Sequence, residues 1–119
     1  MDHVICHFEI PTDDIEKVKA FYSELFGWEI TRMPGPMEYF MIKTGGDVDG
    51  GLMKKQHPQQ TPTNYIAVES VDGHMQKVTG LGGTIVVPKM PVPGMGWFAV
   101  GVDPEGNCFG MWEEDKEAR

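Results

Sequence analysis

A single order of elements, strand, helix and then three strands, runs through this chain twice, and a polypeptide built from two copies of so short a motif has few ways to bury its apolar surface. In the first copy Val4, Cys6, Phe8 and Ile10 alternate with Ile5, His7 and Glu9, the two-residue period of a strand with one face toward a core. Pro11 ends that strand, and Asp13 followed three residues later by Glu16 reads as a capping box opening a helix. Val18, Phe21, Tyr22 and Leu25 then form an apolar stripe that stops at Gly27, a residue type suited to a helix C-terminus. Residues 28–32, 39–43 and 51–54 supply three short strands between turn-rich stretches.

A polar segment, residues 56–63, contains Pro58 and Pro62 and reads as a linker. The order then recurs: a strand over residues 65–68, and a helix from about Asp72 whose apolar positions Met75, Val78 and Leu81 stop at Gly82 and Gly83. Strands follow over residues 84–87, 97–102 and 108–113. The repeat offset is about 58 residues, although identity between the copies is weak. Residues 88–96, with three prolines and two glycines, read as a connection or a flap, and residues 113–119 as a frayed end.

At 119 residues one domain is expected, spanning residues 1–119, with a first βαβββ module at 3–55 and a second at 64–113. Neither copy has enough apolar surface to stand alone. The fold class expected is therefore α+β: two tandem βαβββ modules forming a curved eight-stranded mixed sheet around a cleft, with the helices outside. A concave apolar surface with a few polar groups is the default place for a small ligand.

The charge balance narrows the partners. Eighteen acidic against ten basic side chains give a net charge of -8, which repels phosphate backbones and anionic lipid, so neither nucleic acid nor membrane is expected. No basic segment precedes an apolar run at the amino terminus, and no run approaches the roughly 20 apolar residues of a membrane span. A cytoplasmic protein is the expectation. Cys6 and Cys108 are too few and too far apart for a disulfide framework and are expected as buried free thiols. His3, His57 and His74 are expected at the surface, apart from His7.

Three segments carry a family likeness: His7-Phe8-Glu9-Ile10-Pro11-Thr12-Asp13-Asp14, Phe21-Tyr22-Ser23-Glu24-Leu25-Phe26-Gly27-Trp28, and Val102-Asp103-Pro104-Glu105-Gly106-Asn107. In the last, Pro sits at one turn position and Gly where φ is positive, which tightens a hairpin before a final strand. With these segments the chain resembles the vicinal-oxygen-chelate superfamily of glyoxalases, bleomycin resistance proteins and extradiol dioxygenases over nearly its whole length. The resemblance implies two βαβββ motifs. In the family's enzymes it also implies a divalent cation, held by four His, Glu or Gln side chains from four strands and acting as a Lewis acid.

Carried over position by position, the family's ligand sites fall on His7, Gly51, Tyr65 and Gly110. Glycine has no ligand atom, and a phenol titrating near about 10 is a poor donor to a divalent ion at neutral pH. Shifting the register by one offers only Asn64, Phe109 or Met111, and Glu113 falls on the other side of its strand. The implied metal set is incomplete, so no cofactor is expected.

The resulting expectation is a glyoxalase/bleomycin-resistance-like protein that binds a small, apolar or aromatic molecule without a catalytic metal, as a homodimer. Ligand-binding candidates are His7, Glu9, Met41, Met53, Tyr65, Trp97 and Met111, with Glu9 and Tyr65 as an orienting pair and Trp97 as a stacking surface. Trp28 and Trp112 are expected to pack between helix and sheet. The alternative is a lyase, isomerase or dioxygenase of the glyoxalase type, using an unrecognised metal set or His7 as a metal-free catalytic base. A third reading is a sheet module that serves assembly.

Overall fold

The computed structural model describes residues 2–119. Its elements, in chain order, are β1 (Ile5–Thr12), α1 (Ile15–Phe26), β2 (Glu29–Arg32), β3 (Tyr39–Lys43), β4 (Asp49–Lys54), β5 (Thr63–Ala67), α2 (Val71–Gly80), β6 (Thr84–Val92), β7 (Gly96–Val102) and β8 (Cys108–Glu114). This is the α+β order read from the sequence, βαβββ twice. The chain divides into two compact units, one of His7–Thr63 and the other of Asn64–Arg119 together with the amino-terminal residues through Cys6. That seam falls inside β1. His3 Nδ1 lies 2.8 Å from the Ala67 carbonyl, and the Val4 carbonyl accepts from Ala67 N–H, so the first residues belong with β5.

The two units repeat one strand plan. Within His7–Thr63 the order is β2-β3-β4-β1, with β1 and β4 parallel and the other neighbours antiparallel. Within the other unit it is β6-β7-β8-β5, with β5 and β8 parallel. Each helix covers one face of its own four strands. Under α1 lie Ile15, Ile30, Phe40, Ile42 and Leu52, joined by Phe8, Ile10, Val18, Tyr22 and Trp28. Under α2 lie Val68, Val71, Ala99 and Met111, joined by Met75, Val78, Ile85, Trp97 and Phe109.

Several local expectations need correction. Asp14, not Asp13, caps α1: its side chain accepts from Lys17 N–H at 3.1 Å, while Asp13 faces Lys55 at 3.5 Å. Thr12 sets this phase, its hydroxyl accepting the Asp14 N–H at 3.1 Å. Of the expected α1 stripe, Val18 and Tyr22 reach the core, whereas Phe21 and Leu25 are both 56% exposed. Gly27 does end the helix, at φ 72°, donating to the Ser23 carbonyl.

Residues 88–96 are not a separate flap. β6 continues through Val92, with register shifts between Ile85 and Met90, and pairs Met90, Pro91 and Val92 with Phe98, Trp97 and Gly96. The strand tolerates its prolines because it is outermost in its unit and takes its irregularity as bulges. Nor does the tail fray. Gly94 N–H donates to the Ala118 carbonyl and Asp115 N–H to the Met95 carbonyl, and Ala118 is buried. The Asp103–Asn107 turn is as expected: the Asp103 carboxylate accepts from Glu105 N–H, Asn107 N–H and Asn107 Nδ2, and Gly106 has φ 86°.

Candidate functional site

Strand alternation decides what the helix-free face of the His7–Thr63 unit presents. With Phe8, Ile10, Phe40, Ile42 and Leu52 turned to α1, the residues between them must point the other way. His7 and Glu9 on β1, Tyr39 and Met41 on β3, and Asp49, Gly51 and Met53 on β4 therefore share one face. The register sets Glu9 beside Gly51, and puts Met41 opposite Gly51 and Tyr39 opposite Met53. Four of the seven predicted ligand residues, His7, Glu9, Met41 and Met53, are thus brought together.

Tyr39, which the sequence reading passed over, lies at the centre of this face. Its hydroxyl lies 3.0 Å from His7 Nε2 and donates to Glu9 Oε2 at 3.2 Å. A phenol has one proton to give, and here it goes to Glu9, so the Tyr39 oxygen accepts from a protonated His7 Nε2. Burial pushes the His7 imidazole below its ordinary range, against the opposing pull of Glu9 and Asp49. Burial first, and then the charge and hydrogen bond of Glu9, push the Tyr39 phenol far above its usual value. The arrangement at neutral pH is a neutral imidazole, a protonated phenol and an acceptor carboxylate in series. Such a series can orient a polar ligand group or pass a proton along itself.

The same residues settle how well the cation implied by the fold fits. A Cβ built on Gly51 would stand 1.8 Å from the Tyr39 hydroxyl oxygen, so the phenol occupies the space a ligand side chain there would need. In the other unit a Cβ on Gly110 would stand 2.3 Å from Tyr65 Cδ2. Two positions of the family's metal set are glycines, each roofed by a tyrosine side chain. Glu113 offers no substitute, since its carboxylate accepts the Val71 N–H at 2.9 Å where α2 begins. Among the described residues no group of three or more His, Cys, Asp and Glu side chains is placed to hold a metal ion. These residues do not fit the cation.

The helix-free face of the second unit differs from expectation. Tyr65 lies on it, buried, paired with Gly110 and meeting Phe98 edge to face at 6.4 Å. Trp112 is there too: a Cβ on Gly96 would come within 2.6 Å of its ring. Trp97 and Met111 are not. Both pack under α2, Met111 only 3% exposed, which corrects their assignment to the ligand surface. Trp97 Nε1 donates to Asp115 at 3.0 Å, and the Lys89 ammonium, bonded to Asp72 at 2.7 Å, sits 4.5 Å from a Trp97 ring centre. The two tryptophans have exchanged their expected roles, while Trp28 does pack between helix and sheet, stacked on Tyr22 at 5.3 Å.

Cys6 is half-buried, its thiol donating to the Tyr65 carbonyl and pushed up by burial, whereas Cys108 is exposed, contrary to expectation. His3 and His74 meet edge to face at 5.2 Å, and His57 is exposed. Two shallow surface hollows also occur. One of about 360 Å³ is bounded by Asp13, Lys55, Gln56, His57 and Pro58, and one of about 410 Å³ by Gly94, Met95, Trp112, Glu114, Asp115 and Lys116. The first lies in the linker among exposed polar groups. The second adjoins the aromatic face of its unit through Trp112.

Comparison with known proteins agrees with this architecture. Residues 5–45 match the family model described as Bleomycin resistance protein-like N-terminal. The chain is 29% identical over 116 residues to CFP32 of Mycobacterium bovis, a candidate glyoxylase, covering 91% of this chain and 44% of that protein. It is 27% identical over 125 residues to the anthracycline biosynthesis protein DnrV of Streptomyces peucetius, covering 90% and 46%. The chain thus spans under half the length of these curated relatives. The solved structure of protein BH1468 from Bacillus halodurans C-125 superposes with a TM-score of 0.74 at 17% identity, covering 100% of this chain and 99% of that one. A glyoxalase/bleomycin resistance protein/dioxygenase superfamily member from Vibrio splendidus 12B01 gives 0.66 at 16%, covering 91% and 96%.

Fold and sequence together define the class, an α+β chain of tandem βαβββ units. In sequence the chain is similar to glyoxylase- and bleomycin-resistance-like proteins, and in fold to a solved member of the glyoxalase/bleomycin resistance protein/dioxygenase superfamily.

Proposed function

We propose that this chain binds a small, apolar or aromatic molecule on the helix-free face of its His7–Thr63 unit and does so without a catalytic metal. The observation that carries the reading is Tyr39 seated on Gly51, with its hydroxyl between His7 and Glu9. That arrangement puts a hydrogen-bonding centre where a ligand side chain to an ion would otherwise stand. Met41 and Met53 flank it, and thioethers adapt their shape to flat or irregular apolar surfaces. A relative named for anthracycline biosynthesis supports an aromatic ligand, since anthracyclines are fused aromatic rings.

Chelator-free purification tests the metal half of the proposal, and thermal shift tests the ligand half. Metal content well below one ion per chain is expected, with a raised melting temperature for some members of a panel of aromatic metabolites and antibiotics. A ligand at a hundred times its Kd stabilises the native state by about 2.7 kcal/mol. A stoichiometric divalent ion that is lost on His7→Ala would remove the proposal.

The reading extends to place and assembly. No helix among the described residues is long and apolar enough to cross a membrane, and the acidic surface disfavours anionic lipid, in keeping with a cytoplasmic protein. A homodimer is proposed as its working form, as in many relatives of this fold. Light scattering at micromolar concentration is expected to give the mass of two chains. One chain at every concentration would exclude the pairing.

A further inference from the structure

We propose that His3 and His74 form a surface site for one divalent transition ion of the zinc type, held by the Nε2 atoms of the two imidazoles and completed by water. Both residues belong to one compact unit, which joins the amino-terminal residues through Cys6 to Asn64–Arg119. The site is separate from the His7–Thr63 face and does not depend on the binding reading above.

Hydrogen bonds fix the tautomer of both rings. His3 Nδ1 lies 2.8 Å from the Ala67 carbonyl oxygen, and His74 Nδ1 lies 3.0 Å from the Ser70 carbonyl oxygen. A carbonyl can only accept, so each Nδ1 carries the hydrogen and donates it. In the neutral ring the lone pair is then on Nε2, which becomes the donor atom for an ion. Histidines that bind metal ions almost always give their other N–H to a carboxylate or a backbone carbonyl, which fixes the ring and raises the basicity of the ligating nitrogen. His3 and His74 both have that outer hydrogen bond. His3 takes it from β5 and His74 from the residue that caps α2, so two ordered elements present the donors.

The spacing suits one ion. Two imidazoles on a tetrahedral Zn2+ at about 2.1 Å put their ring centres roughly 3.2 Å from the ion and about 5 Å from each other. The rings of His3 and His74 have centres 5.2 Å apart, and their planes cross at 74°. Lone pairs lie in the ring planes, and only planes that cross can bring two of them to one point. His3 is exposed and His74 half-buried, so an ion reaches the pair from solvent.

Imidazole donors suit Zn2+, Ni2+ and Cu2+, whereas Ca2+ and Mg2+ take oxygen ligands. Two protein donors in place of the four of a structural site leave the ion weakly held. His74 stands near the start of α2, where the positive end of the helix weakens a cation further, and the net charge of -8 works the other way. A Kd of about 10–100 µM for Zn2+ is expected. An ion held so weakly is lost on purification, which keeps the low metal content expected above.

Isothermal titration of the whole chain with Zn2+ is expected to show one ion bound per chain at that affinity. His3→Ala and His74→Ala should each weaken it at least about tenfold, and His57→Ala, in the exposed linker, should leave it within about twofold. Ring-proton NMR of the unaltered chain reads the same site without a substitution: Zn2+ should move the Cε1–H signals of His3 and His74 and leave that of His57 in place. No binding at about 1 mM Zn2+, or a weakening under about tenfold in either single variant, overturns the proposal. An effect confined to His3→Ala would assign the ion to the amino-terminal residues and overturn the pair in the same way. An ion kept in both variants and lost on His7→Ala would overturn both this site and the metal-free reading of the other unit.

Discussion

Gly110→Ala is expected to lower the free energy of unfolding by about 3 kcal/mol, the upper end of what overpacking one methyl group costs. Gly110 on β8 stands beside Tyr65 on β5, and the phenol ring lies flat over it. A methyl carbon there would be 2.3 Å from Cδ2, 2.4 Å from Cε2 and 2.7 Å from Cγ, where carbons in contact keep about 3.5–4.0 Å. The ring cannot yield cheaply. Its near edge is fixed to the backbone through Cβ, it is only 7% exposed, and Phe98 closes on it edge to face. Urea unfolding of four proteins measures the effect: wild type, Gly110→Ala, Tyr65→Ala and the double variant. In the Tyr65→Ala background the alanine should cost under about 1 kcal/mol, giving a coupling of about 2 kcal/mol between the two positions. Equal costs in both backgrounds would show that the glycine is kept for its backbone and not for the tyrosine above it.

That glycine illustrates what a sequence can and cannot disclose about such a face. The repeat, the helix stops at Gly27 and Gly82, and the Asp103–Asn107 hairpin were legible because local periodicity and turn chemistry set them. The sides taken by His7, Glu9, Met41 and Met53 were legible too, since each lies between residues whose apolar character marks the buried face. Trp97 and Met111 were misplaced although a rule for placing them was at hand. Neighbours on a strand point to opposite faces, so a Gly110 on the helix-free side obliges Met111 to face α2. The β7–β8 register then carries Ala99 and Trp97 to α2 with it, and Phe98 and Trp112 to the other side. An aromatic side chain is consistent with either face, and its identity misled where its phase would not have.

Tyr39 is a different kind of omission. A glycine in a central strand leaves a hole, and which neighbour fills it depends on side-chain reach across the sheet, which no pattern along the chain records. Gly51 could have received Met41, its direct cross-strand partner. It received the diagonal neighbour Tyr39, whose length brings the hydroxyl to Glu9 and His7. The prolines of residues 88–92 misled for a related reason. They exclude a central strand, but β6 is outermost in its unit, where a missing N–H need not interrupt a ladder.

Removing the Tyr39 hydroxyl should have an effect whose size changes with pH in a way no packing defect reproduces. At pH 7 Tyr39→Phe removes one hydrogen bond to Glu9 and one contact to His7 Nε2 at half-buried positions, and should cost about 2 kcal/mol. Above pH 10 the balance alters. The folded phenol is held protonated, its pKa far above the ordinary value through burial and the Glu9 charge, whereas the unfolded chain ionises it near about 10. Over that range the unfolded state binds one proton fewer than the folded state at this residue. The stabilisation is therefore complete below pH 10 and declines as pH rises, by about 1.4 kcal/mol per unit. Phenylalanine has no such proton, so the gap between wild type and variant should narrow by about 1 kcal/mol between pH 10 and 11, where the unfolded phenol passes from half to almost fully ionised. Lysines and the other two tyrosines titrate in both proteins and cancel in the difference. Denaturant unfolding of the pair at pH 8, 10 and 11, with absorbance at 295 nm reporting phenolate, decides it: parallel curves would mean that Tyr39 ionises freely while folded, and the hydrogen-bonded series from His7 to Glu9 would lose its central member.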